Sequence, residues 1–505
     1  MKLFVKLFKH TLKFNHPLFK NSLFNAGGFV FVSLVGLIIT PLLVKYFGME
    51  QYGVYVLITG IFGYYGIFDF GLGQGLIKFV AEYNAQGKQQ KLNDAVNSVL
   101  WFQFGVGLLV SILIYVLSPW IINILNVSKN YFKDSVVALK IATFGFFFSM
   151  LSGTFSASIR GLERFDITST TDSFLNLIQN LLVLGVLILG FGIIETVKIH
   201  VAIALIQIII YYFLFNRIYN TYKLKLIFRK KIVRSFFSFA GYLFLSKING
   251  ILRQQGTRLL LSIFLSPAAV TLFVVPNKLL TAAGGLLSSI AGTLFPFISK
   301  LNSLSDKKKI NNVFIKANFI FTSLSLPLFL FITCFSKSIL YVWMGENFAN
   351  NGWKILSLLS GTSFFASLTM IPINTVLGLG ISQLILLFSI VNFLLFLLIL
   401  PLFTYYYGVI GTASGMFIIG MLNIFYVIRM AGKKIGVNVN EYLFIIFKKH
   451  IIPIVLFIGL ALFIQKYNNI NHLIKVVLGI FIMLNYYIII LFNLKTNNKE
   501  IFNYE

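Results

Sequence analysis

Acidic residues are scarce in this chain of 505 residues: 14 Asp and Glu stand against 42 Lys and Arg, and charged residues make up only 11% of the whole. A soluble domain is about a quarter charged. So few charges cannot clothe a water-facing surface, and an acidic active site or carboxylate-rich metal centre has little to be built from. Cysteine is rarer still. Cys334 stands alone in an apolar run, which excludes an intrachain disulfide and a multi-cysteine zinc site. The five histidines (10, 16, 200, 450 and 472) show no ligand spacing. No P-loop is present, and no polar stretch much longer than twenty residues separates the apolar ones, so a soluble catalytic domain has no room.

Hydrophobic residues are abundant instead. They make up 58% of the chain, and its mean hydropathy is +0.88. A helix that spans a bilayer needs roughly 20 apolar residues. Such runs fall at 24–44, 53–77, 96–117, 135–159, 168–192, 196–216, 236–264, 267–299, 312–335, 353–378, 381–403, 408–430, 444–465 and 470–494. An all-α integral membrane protein of about fourteen transmembrane helices is expected, with its weakest breaks at 265–266 and 379–380.

The net charge of +28 would suit nucleic acid, but its placement points to a membrane. With the N-terminus inside, the cytoplasmic segments hold twenty-eight Lys and Arg and the opposite face eight: Lys45, Lys129, Lys133, Lys198, Lys337, Lys354, Lys466 and Lys475. This bias sets orientation, and both termini are expected in the cytoplasm. The opening segment, 1–22, reads as an amphipathic helix on the cytoplasmic leaflet with Lys2, Lys6, Lys9 and Lys13 toward headgroups, or as a basic tail. No cleavable signal peptide is visible there.

A faint echo between 46–55 (YFGMEQYGVY) and 264–273 (FLSPAAVTLF) suggests two halves of six helices, as in transporters built from repeats. The expected divisions are an N-lobe at 23–217, a basic linker at 218–235, a C-lobe at 236–430, and a last helix pair with its tail at 431–505. The run Gly71-Leu-Gly-Gln-Gly75 lacks the strand context of a dinucleotide fingerprint. It reads as small residues for close helix packing.

Ionisable residues inside a span are costly and mark pathways. The seventh span holds Lys247, Arg253 and Arg258, and the eighth holds Lys278. At 100° per residue Lys247, Gln254 and Arg258 share one face with Gly250, while Arg253 and Asn249 adjoin it. Buried cations without partners call for water or an anionic ligand, and the planar guanidinium fork suits phosphate. Snorkelling to the interfaces is the plainer alternative for Lys247 and Arg258. Asp69, in FDFGLGQG, is expected either to pair with a cation or to take up a proton or Na⁺ as coupling ion. Pro276, Gly284 and Gly285 in the eighth helix, and Pro372 with Gly378 and Gly380 in the tenth, are candidate bends.

Three blocks then carry a resemblance. ITPLLVKYFGMEQYGVYVLITGIFGYYGIFDFGLGQGLIKFVAEY (39–83), SPAAVTLFVVPNKLLTAAGGLLSSIAGTLFPFISKL (266–301) and WMGENFANNGWKILSLLSG (343–361) resemble, in order, segments of Wzx-type polysaccharide flippases. These belong to the multidrug/oligosaccharidyl-lipid/polysaccharide (MOP) exporter superfamily. Phe273 stands where that family commonly has Tyr, and Gly352-Trp353 where small residues are usual. The resemblance implies two six-helix lobes in a V around a central cavity, plus two C-terminal helices. It implies no enzyme and no cofactor, with H⁺ or Na⁺ as coupling ion. The cargo would be a polyprenyl-pyrophosphate-linked oligosaccharide of the O-antigen, capsule or exopolysaccharide class. It would cross the bacterial inner membrane by alternating access, beside polysaccharide polymerase machinery. A peptidoglycan-precursor flippase and a MATE-like cation or drug antiporter are the alternatives. A membrane glycosyltransferase is disfavoured by the short outer loops.

Overall fold

Hydrocarbon offers no partner to a backbone N–H or C=O, so a chain this apolar must satisfy those groups within each segment. The computed structural model describes residues 17–439, 447–467 and 470–496, and all regular structure among them is α-helical. Lys2, Lys6, Lys9 and Lys13 of the expected N-terminal amphipathic segment lie outside the described residues. Among the described residues ten helices are long and apolar enough to cross a membrane. Most predicted spans coincide with a helix or with half of a kinked one; 53–77 and 267–299 each run across a helix break, the first residues of 444–465 lie outside the described residues, and the two weakest breaks are real turns. Large apolar side chains such as Leu109, Ile112, Val116 and Trp120 stand fully outward, a surface that suits lipid rather than water.

Contacts divide the chain into two units, Met1–Thr271 and Leu272–Glu505. The first holds α1 (Pro17–Phe68), α2 (Leu72–Ala85), α3 (Gln89–Ile124), α4 (Lys129–Gly161), α5 (Phe165–Ile188), α6 (Ile193–Ile218), α7 (Lys230–Phe264) and the opening of α8 (Pro267–Gly292). As a straight rod α1, with its 52 residues, would reach about 78 Å, far beyond a core of about 30 Å. Gly48 breaks it with φ 72° and ψ 176°, a conformation open to glycine. Phe47 and Tyr55 then stack at 5.3 Å across the bend.

The second predicted span is itself interrupted. Phe70 and Gly71 take φ of 51° and 81°, so the helix stops at Phe68 and α2 restarts at Leu72. Beyond the break, Gly75 makes the close packing that the run of small residues suggested. A Cβ on Gly75 would meet Phe236 at 3.1 Å, and the Phe79 and Phe236 rings stack at 4.5 Å.

This contact ties the start of α7 into the first unit's core of Leu72, Leu76, Val80, Val96 and Phe215. The other end of α7 is tied as well. Ser262 donates to the Leu125 carbonyl at 2.5 Å, and Asn126 donates to that of Ile263 at 2.7 Å. At the start of α8, Thr271 donates to the Met49 carbonyl at 2.6 Å. Beside it Gly53 lies so close to Pro267 that any Cβ would stand 1.8 Å from the Pro267 carbonyl oxygen.

The second unit continues α8 and adds α9 (Leu294–Ser303), α10 (Lys307–Cys334), α11 (Ser336–Met344), α12 (Glu346–Gly378), α13 (Ser382–Ile435), α14 (Ile451–Lys466) and α15 (His472–Thr496). Gly408 folds α13 back on itself (φ 60°), and Thr404 and Thr412 bond across the bend at 2.9 Å. The last two helices dock on α10. Phe457, Ala461, Ile482 and Tyr486 meet Leu326 and Phe335. At their base buried His450 bonds Tyr486 at 2.9 Å and Ser323 at 3.3 Å.

Candidate functional site

Interior cations are the rarest and most expensive feature of the sequence, so the site is built from α7. Arg253 lies eleven residues before the end of α7 at Phe264, about 16 Å of rise into the span. It is exposed, as is its neighbour Gln254. Among the described residues Arg253 makes no side-chain hydrogen bond or ion pair. A guanidinium placed there without a carboxylate keeps all its donors for a ligand or for water.

Arg258 is held differently. Its Nη1 donates to Gln255 Oε1 at 2.9 Å, and Gln255 Nε2 donates to the Gly60 carbonyl of α1 at 3.3 Å. Glycine at 60 and 63 makes this possible: a Cβ on Gly63 would lie 2.5 Å from Gln255 Nε2, and one on Gly60 3.2 Å from its Oε1. Gln255 therefore slots against bare backbone and presents its carbonyl oxygen to Arg258. The phenols of Tyr52 and Tyr64, also on α1, are electrostatic neighbours of the same guanidinium. One face of Arg258 is thus fixed while most of its N–H donors remain available.

Gln255 was not singled out by the sequence reading, which placed Gln254 with Arg258. The i, i+3 spacing of Gln255 and Arg258 was the available signal. The side chain of Lys247 lies outside the described residues, although its backbone is helical. Lys278 is half-buried on α8 in the second unit. Among the described residues no group of three or more His, Cys, Asp or Glu could hold a metal.

Asp69 sits at the helix break rather than in mid-helix. Its carboxylate accepts from the Gly73 N–H at 3.0 Å and from Gln103 Nε2 at 2.7 Å, and Gln103 Oε1 accepts from Thr154 at 2.5 Å. It caps the first turn of α2, where the helix dipole favours negative charge. Of the bend candidates, Pro276 and Pro372 are buried inside continuous helices. A Cβ on Gly284 would meet nothing within 4 Å. Gly380, another of the candidates, takes φ 78° just past the end of α12, and between α8 and α9 the helix is interrupted at Thr293, which keeps helical dihedrals.

A second polar cluster escaped the sequence reading. Asp172 on α5 takes bonds from Arg160 of α4 at 3.3 Å, and from Gln207 and Tyr211 of α6 at 3.0 and 2.5 Å. Arg160 also reaches Thr168 at 3.2 Å. Three helices are cross-linked there by one carboxylate.

Comparison with known proteins gives this arrangement its context. A candidate O-antigen transporter of Shigella flexneri is 25% identical over 400 residues, covering 78% of this chain and 93% of its own. An uncharacterized membrane protein of Methanocaldococcus jannaschii is 22% identical over 386 residues. Among solved structures the lipid II flippase MurJ, in an inward closed conformation, superposes with a TM-score of 0.72 at 17% identity over 92% of this chain and 98% of its own. An inward-facing MATE family transporter of the MOP superfamily superposes with a TM-score of 0.64 at 14% identity, over 82% and 94%. The fold is therefore that of the MOP superfamily. The family of polysaccharide biosynthesis proteins matches residues 18–302, more than half of the chain, and to that family this multi-pass membrane protein belongs.

Proposed function

We propose that the chain is a flippase that moves polyprenyl-pyrophosphate-linked oligosaccharide repeat units of the O-antigen, capsule or exopolysaccharide class across the bacterial inner membrane. The observation that carries this reading is the pair of guanidiniums on α7. Arg253 is exposed deep in a span without a partner among the described residues, and Arg258 is fixed by Gln255 with donors to spare. Bilayer hydrocarbon opposes the charge of a pyrophosphate, not the polyprenyl tail. A cationic helix face replaces the lost hydration of that head, and forked N–H donors match its oxygens. Gln254 offers a further amide beside Arg253. Lys247 and Lys278 are proposed as additional anchors from their sequence positions alone.

The relative from S. flexneri supports the cargo class through what it is described as transporting. The excess of Lys and Arg on alternate loops supports cytoplasmic termini. The process is transport by alternating access, with no bond made or broken. Coupling to H⁺ or Na⁺ is part of the proposal, as is operation beside a polysaccharide polymerase.

The test is a liposome assay that follows a fluorescent polyprenyl-pyrophosphate oligosaccharide between leaflets. Wild type should move it. Arg253→Ala and Arg258→Ala should slow movement at least tenfold while keeping the protein monodisperse, and Arg258→Lys should recover only part of the rate. Movement unaffected by either alanine would remove the site assignment. Selective movement of a lipid-linked peptidoglycan precursor, or proton-driven efflux of organic cations without glycolipid movement, would replace the cargo reading.

A further inference from the structure

The outer surface of the first unit carries a groove that the cations of α7 do not use. Its volume is about 340 Å³, and apolar atoms alone line it. Trp101 and Phe104 of α3, Phe155 of α4, and Tyr212 and Phe213 of α6 form its walls. Leu224 lines it as well. That volume lies at the low end of small-molecule pockets, roughly 300–1,000 Å³, a size and apolar lining that suit an acyl chain. Tyr212 and Phe213 lie six and five residues before the end of α6, about 8–9 Å below it, which is acyl-chain depth in one leaflet. Phe213 is 65% exposed on that outward face.

Leu224 belongs to an extended strap, 220–229, strung along the start of α3. Its backbone is pinned by side chains. Asn93 donates to the Thr221 carbonyl, Asn97 to that of Lys223, and Trp101 Nε1 to that of Lys225 at 2.9 Å. The Lys225 N–H donates to Asn97 Oδ1, and the Arg229 N–H to Ser98. The strap alternates basic with apolar residues, Lys223-Leu-Lys-Leu-Ile-Phe-Arg229, and Leu226 is 84% exposed. Arg229 is neutralised by Asp94 at 2.6 Å. Lys223 and Lys225 are exposed and, among the described residues, make no ion pair. Two ammonium groups without ion pairs among the described residues therefore flank in sequence a residue that lines the groove.

We propose that this groove and strap form a binding site for an anionic phospholipid, one acyl chain lying against Trp101 and the phosphate held by Lys223 and Lys225. The occupant is lipid because the groove opens on the bilayer face of spanning helices. It is anionic because Lys223 and Lys225, on either side of the lining residue Leu224, make no ion pair among the described residues. Each basic residue near an anionic headgroup contributes about 1 kcal/mol, a factor of about five, so the pair predicts a preference of up to roughly thirtyfold over a zwitterionic lipid.

Trp101 reports on its own site. In full-length protein carrying Trp120→Phe, Trp343→Phe and Trp353→Phe, reconstituted in phosphatidylcholine nanodiscs, a small fixed fraction of lipid is replaced by chain-brominated phosphatidylglycerol or chain-brominated phosphatidylcholine. The glycerol lipid should quench Trp101 at several-fold lower fraction, and Lys223→Gln with Lys225→Gln should erase the difference. Those lysines are exposed and the strap is held through its backbone, so the double variant keeps the fold. Native mass spectrometry of the unaltered protein should show retained phosphatidylglycerol that the double variant loses. Equal quenching by the two lipids, or a preference that survives the double substitution, overturns the proposal. So does relief of the quenching by a trace of long-chain polyprenyl phosphate, which would assign the groove to a cargo tail.

Discussion

Replacing Gly53 by alanine tests the closest backbone approach in the first unit. The added Cβ would stand 1.8 Å from the Pro267 carbonyl oxygen and 2.5 Å from its carbon, where ordinary contact begins near 3.4 Å. Both obstructing atoms are backbone, so no rotamer change relieves the clash. The start of α8 must retreat by the difference, about 1.6 Å, from α1. The bond from Thr271 to the Met49 carbonyl, now 2.6 Å, would then stretch beyond any useful length. Overpacking costs about 1–3 kcal/mol and the lost bond about 1 kcal/mol, against a gain of about 1 kcal/mol in helix propensity. The net is a loss of about 1–3 kcal/mol. Gly36 on the same helix is the control, since a Cβ there meets nothing within 4 Å and only the propensity gain remains. Fluorescence-detected size-exclusion after heating in detergent should place Gly53→Ala several degrees below wild type and Gly36→Ala at or above it. Equal melting of the two variants would refute the steric argument and with it the tight seam at Pro267.

Asp69→Asn keeps the acceptor oxygen for Gly73 and Gln103, so thermal stability should fall by less than for Asp69→Ala; unchanged stability with abolished transport would instead mark Asp69 as the ion-coupling group. Gln103→Leu removes a hydrogen bond to a carboxylate and should cost about 1.5–3 kcal/mol, read as a lowered melting temperature. His450→Ala strips both Tyr486 and Ser323 of a buried partner, and hydrogen exchange should rise in α14 and α15 before it rises in α10. Asp172→Ala leaves Arg160 without its carboxylate and should lower the melting temperature more than Arg164→Ala, whose exposed pair with Asp166 contributes little.

Helix number and placement were legible in the amino-acid order because the bilayer permits so few solutions. An apolar run of the right length can only be a spanning helix, and Leu265 and Gly380 mark its ends even where almost no polar residue intervenes. The break at Phe70–Gly71 was not legible, because FDFGLGQG is apolar enough to pass for mid-helix and its meaning depends on Gln103 arriving from α3. Helical periodicity grouped Gln254 with Arg258, but periodicity cannot say which residue finds bare backbone opposite. Gly60 and Gly63 decide that in favour of Gln255. The Arg160–Asp172 link joins residues twelve apart across a turn and gains its other partners from α6, a tertiary fact with no local signature.

Between Tyr222, whose ring and hydroxyl are anchored in the first unit's core, and Arg229, paired with Asp94, the strap is held by its carbonyls and amides. Asn93, Asn97, Ser98 and Trp101 grip groups that every amino acid except proline provides in full. Natural selection therefore acts on the two partners unequally. The side chains on α3 are bound to their identities, as are Tyr222 and Arg229, whereas positions 223–228 between them are free to drift and to take on new basic or apolar residues without losing their course. Descendants of this chain living in membranes of different lipid composition would be expected to differ first in the strap, and to keep the asparagines that hold it.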